Sequence, residues 1–351
     1  MPQPQSASAP YEHLIDLIAH QEKKRSQEIA LVNYKENSDD QSITWNELKF
    51  RTETIAQYLI AQDVQPQDKV ALFATNSLDW TCADLAILKS RGVVVPIYPT
   101  STLEQFVYII NDAQAKVIVV DDAAHYHLVC EALASCPSVT HVVVFDKTVA
   151  LTAKSHQHLS TILAQPWGTS SLLEQRLQEK SLDDLVTLIY TSGTTGKPKG
   201  VMLDYRNAGS MIAQHQQILD FTAGQTSLSF LPLSHIFERG WTLYVLVQGG
   251  KNVYVANPLK LKEAMQAIHP DALCVVPRVL EKMYAAILEQ VQQSSWIKRA
   301  LFHASFAVAK GFEDKQEASS MTTKLGYRLA RRLILDKIKH KIGTNYQVVE
   351  E

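Results

Sequence analysis

The chain contains no apolar run approaching the ~18 residues that a membrane-spanning helix needs. Its apolar stretches, such as Val93-Val94-Val95-Pro96-Ile97-Tyr98, are short. The N-terminus, Met1-Pro2-Gln3-Pro4-Gln5-Ser6-Ala7, lacks the basic start and apolar core of a secretory signal, and residues 1–10 read as a polar tail. The four cysteines, Cys82, Cys130, Cys136 and Cys274, form no CxxC pair, so neither a zinc site nor a disulfide framework is suggested. Reduced, mostly buried thiols in a cytoplasmic protein, peripheral at a membrane at most, are the expectation. No charge of one sign dominates: 34 Lys+Arg against 36 Asp+Glu leave −2, which implies no nucleic acid and no other strongly charged partner.

What is present is a globular composition. The 351 residues are 46% hydrophobic, and at ~100–200 residues per domain they predict two or three domains. Tyr11 to His20 carries a helical apolar spacing, and Thr44 with Glu47 forms a capping-box pattern ahead of a second helix. The next segments alternate: strand 69–73, helix 80–90, strand 93–97, helix 103–112, strands 117–120 and 141–145. Short continuous apolar strands separated by helices predict a parallel sheet covered on both faces, an α/β class. Residues 149–180 are rich in Ser, Thr, Gln and His and read as a connection between a first α/β unit (11–148) and a second (181–351). In the second unit the pattern predicts strands at 184–190, 227–231, 252–255 and 272–276, with helices at 207–219, 241–247 and 259–268.

The most informative segment is Tyr190-Thr191-Ser192-Gly193-Thr194-Thr195-Gly196-Lys197-Pro198-Lys199-Gly200-Val201, directly after an apolar strand. Glycines let backbone amides approach an anion, hydroxyls donate to phosphate oxygens, and lysines neutralise charge. The segment suits a polyphosphate. It is not a Walker loop: only two residues separate Gly193 from Gly196, and Pro198 stands where Ser or Thr is required.

This segment resembles the phosphate-binding signature of the AMP-forming adenylating enzymes, which include acyl-CoA synthetases, luciferases and peptide-synthetase adenylation domains. Further likeness lies in Ile43 to Leu48, Val94 to Thr100, and Tyr108-Ile109-Ile110-Asn111-Asp112. Phe230-Leu231-Pro232-Leu233-Ser234-His235-Ile236-Phe237-Glu238-Arg239 and Val276-Pro277-Arg278-Val279-Leu280-Glu281-Lys282 resemble the long-chain fatty acyl-CoA synthetases in particular.

The resemblance implies two mostly parallel sheets flanked by helices. It also implies a ligase that joins a long-chain fatty acid to CoA through an acyl-adenylate, using ATP and Mg2+. Ser192, Gly193, Thr194, Thr195, Gly196 and Lys197 would hold the β- and γ-phosphates, with Thr191 near magnesium. Lys199 is either a second phosphate-facing charge or a solvated lysine. His235 would lie near the adenylate and the acyl carboxylate. Trp241 is either a gating aromatic or a buried core residue, and Arg278 either a phosphate or partner contact or a plain surface charge. Glu238 and Arg239 are expected to pair locally in an orienting or structural role. An acyl-AMP ligase with a non-CoA acceptor is the alternative enzyme.

Lys324 to Lys341 predicts a basic amphipathic helix, which suits either an anionic membrane surface or a domain surface with its apolar stripe inward. The family's later segments, including the magnesium-binding Glu, the ribose-binding Asp and the small C-terminal domain with its adenylation lysine, find no match in this sequence. The expectation is an N-terminal portion without a catalytic lysine, inactive alone or a non-catalytic product.

Overall fold

A computed structural model describes residues 12–36, 40–191, 197–313, 328 and 347–349. The polar tail (1–10), the loop residues 192–196 and the basic helix expected at 324–341 lie outside the described residues, Arg328 excepted. The chain divides into two compact units, Met1–Pro258 and Leu259–Glu351.

The strands in chain order are β1 (Ile29–Asn33), β2 (Gln41–Thr44), β3 (Lys69–Phe73), β4 (Val93–Ile97), β5 (Val117–Val120), β6 (His141–Val144) and β7 (His156–His158). They continue as β8 (Leu185–Thr191), β9 (Lys199–Asp204), β10 (Thr226–Ser229), β11 (Lys251–Tyr254), β12 (Ala272–Cys274) and β13 (Gln347–Val349).

The first unit holds one sheet of order β7-β6-β5-β3-β4-β8-β9, parallel throughout except for β9, which runs antiparallel to β8. Its central strands are buried on both faces, as their runs of Val and Ile, interrupted only by Pro96, require. A second sheet places β10, β11 and β1 in parallel, with β2 antiparallel at the side of β1. Residues 149–180 are therefore not a boundary between the sheets. β8 and β9 lie beyond this segment yet complete the first sheet, whereas β1 and β2, from the start of the chain, join β10 and β11. The segment is itself structured, supplying β7 and the helices Leu159–Leu163 and Ser170–Gln178. Its apolar positions are too sparse to show a period, but Leu159, Ile162 and Leu173 are buried in the same core as Trp45 and Trp80.

The helix Leu78–Lys89 explains how the two sheets share a core. Every residue in it except Asp79 is buried, so it is enclosed on all sides. A charge in such a helix needs a partner, because an unpaired ion loses its hydration without compensation. Lys89 has Glu22 at 2.8 Å, and Asp84 has Arg239 at 2.7 Å. The helix Trp45–Ala61 packs beside it, started by the capping box that Thr44 and Glu47 predict: the Glu47 amide donates to Thr44 Oγ1, and the Thr44 amide donates to Glu47 Oε2.

The second unit contains the helices Leu261–Ile268, Pro277–Gln292 and Trp296–Glu313 and the parallel pair β12 and β13. Pro277 opens its helix at a position where the missing amide costs nothing. No helix among the described residues is long and apolar enough to cross a membrane.

Candidate functional site

The carboxyl ends of the parallel strands in the first sheet carry the polar residues, as in open α/β sheets that bind ligands at that edge. β8 ends at Thr191, and the chain returns as β9 from Lys199, with Thr191 paired opposite Lys199 and Tyr190 opposite Gly200. The described ends of the hydroxyl- and glycine-rich segment, Thr191 and Lys199, therefore face each other across an antiparallel strand pair at this edge. Thr191, Lys197 and Lys199 are exposed at its two stems. Tyr190 is buried and its hydroxyl donates to Asp112 Oδ2 at 2.6 Å. Burial, and then the carboxylate beside it, push the phenol well above its ordinary range. Gly200 permits this packing, because a Cβ there would meet the Tyr190 ring at 3.1 Å.

Next along this edge, Asp121 follows β5. Its Oδ2 accepts from the Thr75 amide (2.8 Å) and hydroxyl (2.7 Å), while its Oδ1 faces His125 Nδ1 at 2.6 Å. His125 Nε2 lies 2.9 Å from the Pro99 carbonyl oxygen. Burial alone would favour the neutral ring, but the Asp121 hydrogen bond and the Pro99 carbonyl hold the pKa at about 9. Both ring nitrogens therefore donate, and the imidazolium has no lone pair for a metal. Asp121, Asp122 and His125 lie close enough to suggest a metal cluster, but they form an internal ion pair that ties together the ends of β3, β4 and β5.

In the second sheet, β10 leads into Phe230–His235, which Asn76 clamps from the loop after β3. Asn76 Nδ2 donates to the Leu231 carbonyl (2.6 Å), and the Leu233 amide donates to Asn76 Oδ1 (2.9 Å). His235 caps the helix Ile236–Val247, its Nδ1 accepting from the Phe237 amide at 3.2 Å. This bond engages Nδ1 and leaves Nε2 as the ring nitrogen not used by the cap.

Glu238 and Arg239 do not pair with each other as their adjacency suggests. Arg239 turns to Asp84 in two parallel hydrogen bonds. Glu238 is fully buried, and neither its oxygens nor the hydroxyls of Ser229 and Ser234 make a hydrogen bond of good geometry. Burial pushes the Glu238 carboxyl up to about 8, against weaker help from Ser229 and the Leu231 backbone. Trp241 is 2% exposed, donates from Nε1 to Ser227 Oγ at 2.8 Å and packs against Phe221 and Tyr244. It sits in the core of its unit. Arg278 lies in the second unit, near the start of Pro277–Gln292.

The residue types of Tyr190 to Val201 marked that segment as a candidate phosphate loop, and His235 was singled out by the family resemblance of its motif. Neither signal pointed to β9, Asn76, Asp84 or the Asp121–His125 pair. A capping-type Asp at 122 before Ala123 was the available signal for the helix that carries His125.

The fold is of the α/β class, and the chain belongs to the AMP-binding enzyme family, whose model matches residues 18–323. Among curated relatives, long chain acyl-CoA synthetase 2 of Arabidopsis thaliana is 26% identical over 317 residues, covering 86% of this chain and 46% of that protein. Long-chain-fatty-acid--CoA ligase ACSBG1 of Rattus norvegicus is 27% identical over 335 residues, covering 90% and 45%. The chain thus spans about half the length of these relatives. Among solved structures, the N-terminal domain of FACL13 from Mycobacterium tuberculosis superposes with a TM-score of 0.66 at 21% identity, over 78% of this chain and 65% of that one. The adenylation domain of a carboxylate reductase from Mycobacterium chelonae gives 0.68 at 20% identity, over 97% and 54%. These likenesses share the fold of two mostly parallel sheets flanked by helices.

Proposed function

We propose that this chain is the phosphate-loop-bearing part of an AMP-forming acid:CoA ligase whose acid is a long-chain fatty acid. The observation that carries the reading is the β8–β9 hairpin at the carboxyl edge of a parallel sheet, with Thr191, Lys197 and Lys199 exposed at its stems. It is supported by family membership and by the names of the curated relatives. In this reading ATP reacts with the fatty acid to give acyl-AMP and diphosphate, and CoA then takes the acyl group. A carboxylate attacking an α-phosphorus meets an already negative centre, so positive charge and donors held in place lower the barrier.

Lys197 supplies charge at the diphosphate, with Lys199 as a second cation on the same stem. Magnesium, when bound, neutralises phosphate oxygens, and the Thr191 hydroxyl at the end of β8 is a hard oxygen donor of the type that ion accepts. His235, whose Nδ1 is engaged by the Phe237 amide, has Nε2 left to donate to an acyl carboxylate or adenylate oxygen.

The test is AMP release by the full protein in the presence of ATP, CoA and fatty acids from medium to very long chains. Release that depends on both fatty acid and CoA supports the reading, and a fall of about 10-fold or more in Lys197→Ala ties it to the hairpin. Absence of AMP release with every acid overturns it. Acyl-AMP that accumulates and is not discharged by CoA points instead to another acceptor.

A further inference from the structure

The helix Leu103–Ala113 contributes nothing to that chemistry, yet one of its faces meets both stems of the hairpin. Tyr108 and Asp112 are four residues apart and project on the same side. Asp112 accepts the Tyr190 hydroxyl on the incoming strand. On the outgoing side, Lys197 Nζ lies 6.0 Å from the centre of the Tyr108 ring, at the outer limit of a cation–π contact. The two tyrosines are themselves neighbours, since Tyr108 adds to the upward push on the Tyr190 phenol. Tyr190 is further wedged against Gly200, its partner across the hairpin.

We infer that Tyr108 and Asp112 are positioning residues for Lys197 and for the strand pair that carries it. The inference rests on the reading of the hairpin as the seat of a polyphosphate. A lysine has a long flexible stem, and holding its ammonium near one place before the ligand arrives removes part of the ordering cost of binding. The Tyr108 ring provides that restraint without neutralising the charge, which a carboxylate in the same place would do. Asp112 acts through Tyr190: the hydrogen bond fixes the last pleat of the strand before Thr191 and, through the Tyr190–Gly200 pairing, the start of the strand that follows Lys197. The helix thereby has a reason for Tyr108 and Asp112 at this spacing.

The test is titration of ATP and of inorganic pyrophosphate into the 351-residue protein and its variants, with thermal melting of each. Tyr108→Phe keeps the ring face and should bind both ligands within about twofold of the native chain. Tyr108→Leu should weaken both by roughly two- to fivefold. In a Lys197→Ala background, Tyr108→Leu should have no further effect, which distinguishes positioning of that lysine from a general structural role. Tyr190→Phe removes only a hydroxyl and gives a second arm: a loss of roughly threefold or more with a native-like melting temperature is expected. If the native chain binds neither ATP nor pyrophosphate, the polyphosphate reading itself fails. If it binds them and Tyr108→Leu and Tyr190→Phe bind equally well, or Tyr108→Leu acts undiminished without Lys197, that reading stands and the positioning role is overturned.

Discussion

Arg239 and Asp84 face each other as a two-pronged pair, Nε to Oδ2 at 3.0 Å and Nη2 to Oδ1 at 2.7 Å, with side chains 1% and 2% exposed. They join the helix that follows His235 to the fully enclosed helix between the two sheets. Removing one partner leaves the other charge buried and unpaired. Asp84→Ala or Arg239→Ala should therefore destabilise the protein by about 3–5 kcal/mol. Arg239→Lys should recover little, because an ammonium cannot reproduce the two parallel bonds. Urea unfolding of the three variants checks this, and a loss below about 1 kcal/mol for both alanine variants would contradict the buried pair.

Glu238, one residue before Arg239, makes a prediction of opposite origin. Its folded pKa of about 8 lies above the ordinary 4.5, so between these values the folded state holds a proton that the unfolded state has lost. Stability should fall as pH rises from about 4.5 to about 8 and level off beyond, each pH unit of the shift corresponding to about 1.4 kcal/mol. Glu238→Gln should remove this slope, so that the variant melts higher than the native chain at pH 8 and within a degree or two of it near pH 4. A native-like slope in the variant would refute the assignment.

His125 has its own window. Its folded pKa of about 9 exceeds the usual 6.5, so its charge–charge stabilisation is fully present below about 6.5 and lost as pH climbs through about 9. His125→Gln should melt lower than the native protein at pH 6, with the gap closing toward pH 9.5. Melting curves of the two proteins across that range decide it, and a gap that stays constant would mean the ring is not an imidazolium.

Thiol chemistry separates the cysteines. Cys82, Cys136 and Cys274 are buried, while Cys130 is half-exposed and lines a cavity of about 330 Å³ with Tyr126, His127 and Thr152. Burial also pushes the Cys82 thiol up to about 12. Titration of the native protein with a disulfide reagent should show one rapidly reacting thiol, absent in Cys130→Ser, with the other three reacting only on unfolding. Rapid reaction of a second thiol would contradict the packing.

Local chemistry made much of this protein readable from its sequence. The strands Lys69–Phe73, Val93–Ile97 and Val117–Val120 run between the residues that their apolar patterns predict, because a strand buried on both faces must be apolar throughout. The helix cap at Thr44 is a short-range feature, set by side chains within a few residues of one another. The helix expected at Trp80–Ser90 begins two residues earlier, after Ser77, whose hydroxyl accepts from the Trp80 amide. The helix expected from Trp241 begins at Ile236, because the cap that starts it is a histidine rather than one of the usual short polar residues.

Tertiary structure alone decided which strands lie together. β1 and β2 precede the whole first sheet yet belong to the second, and Lys199 to Asp204 becomes a strand only because β8 offers it an edge. It also decided that Arg239 pairs with Asp84, 155 positions away, rather than with adjacent Glu238. Adjacent residues on a helix point about 100° apart, so proximity in the chain is no guide to contact there. Short apolar strands alternating with helices pointed to the α/β class, and the segment from Tyr190 to Val201 carried the resemblance to the AMP-forming family. The antiparallel pairing of the strands on either side of that segment, against a helix face carrying Tyr108 and Asp112, depended on long-range packing that no local pattern encodes.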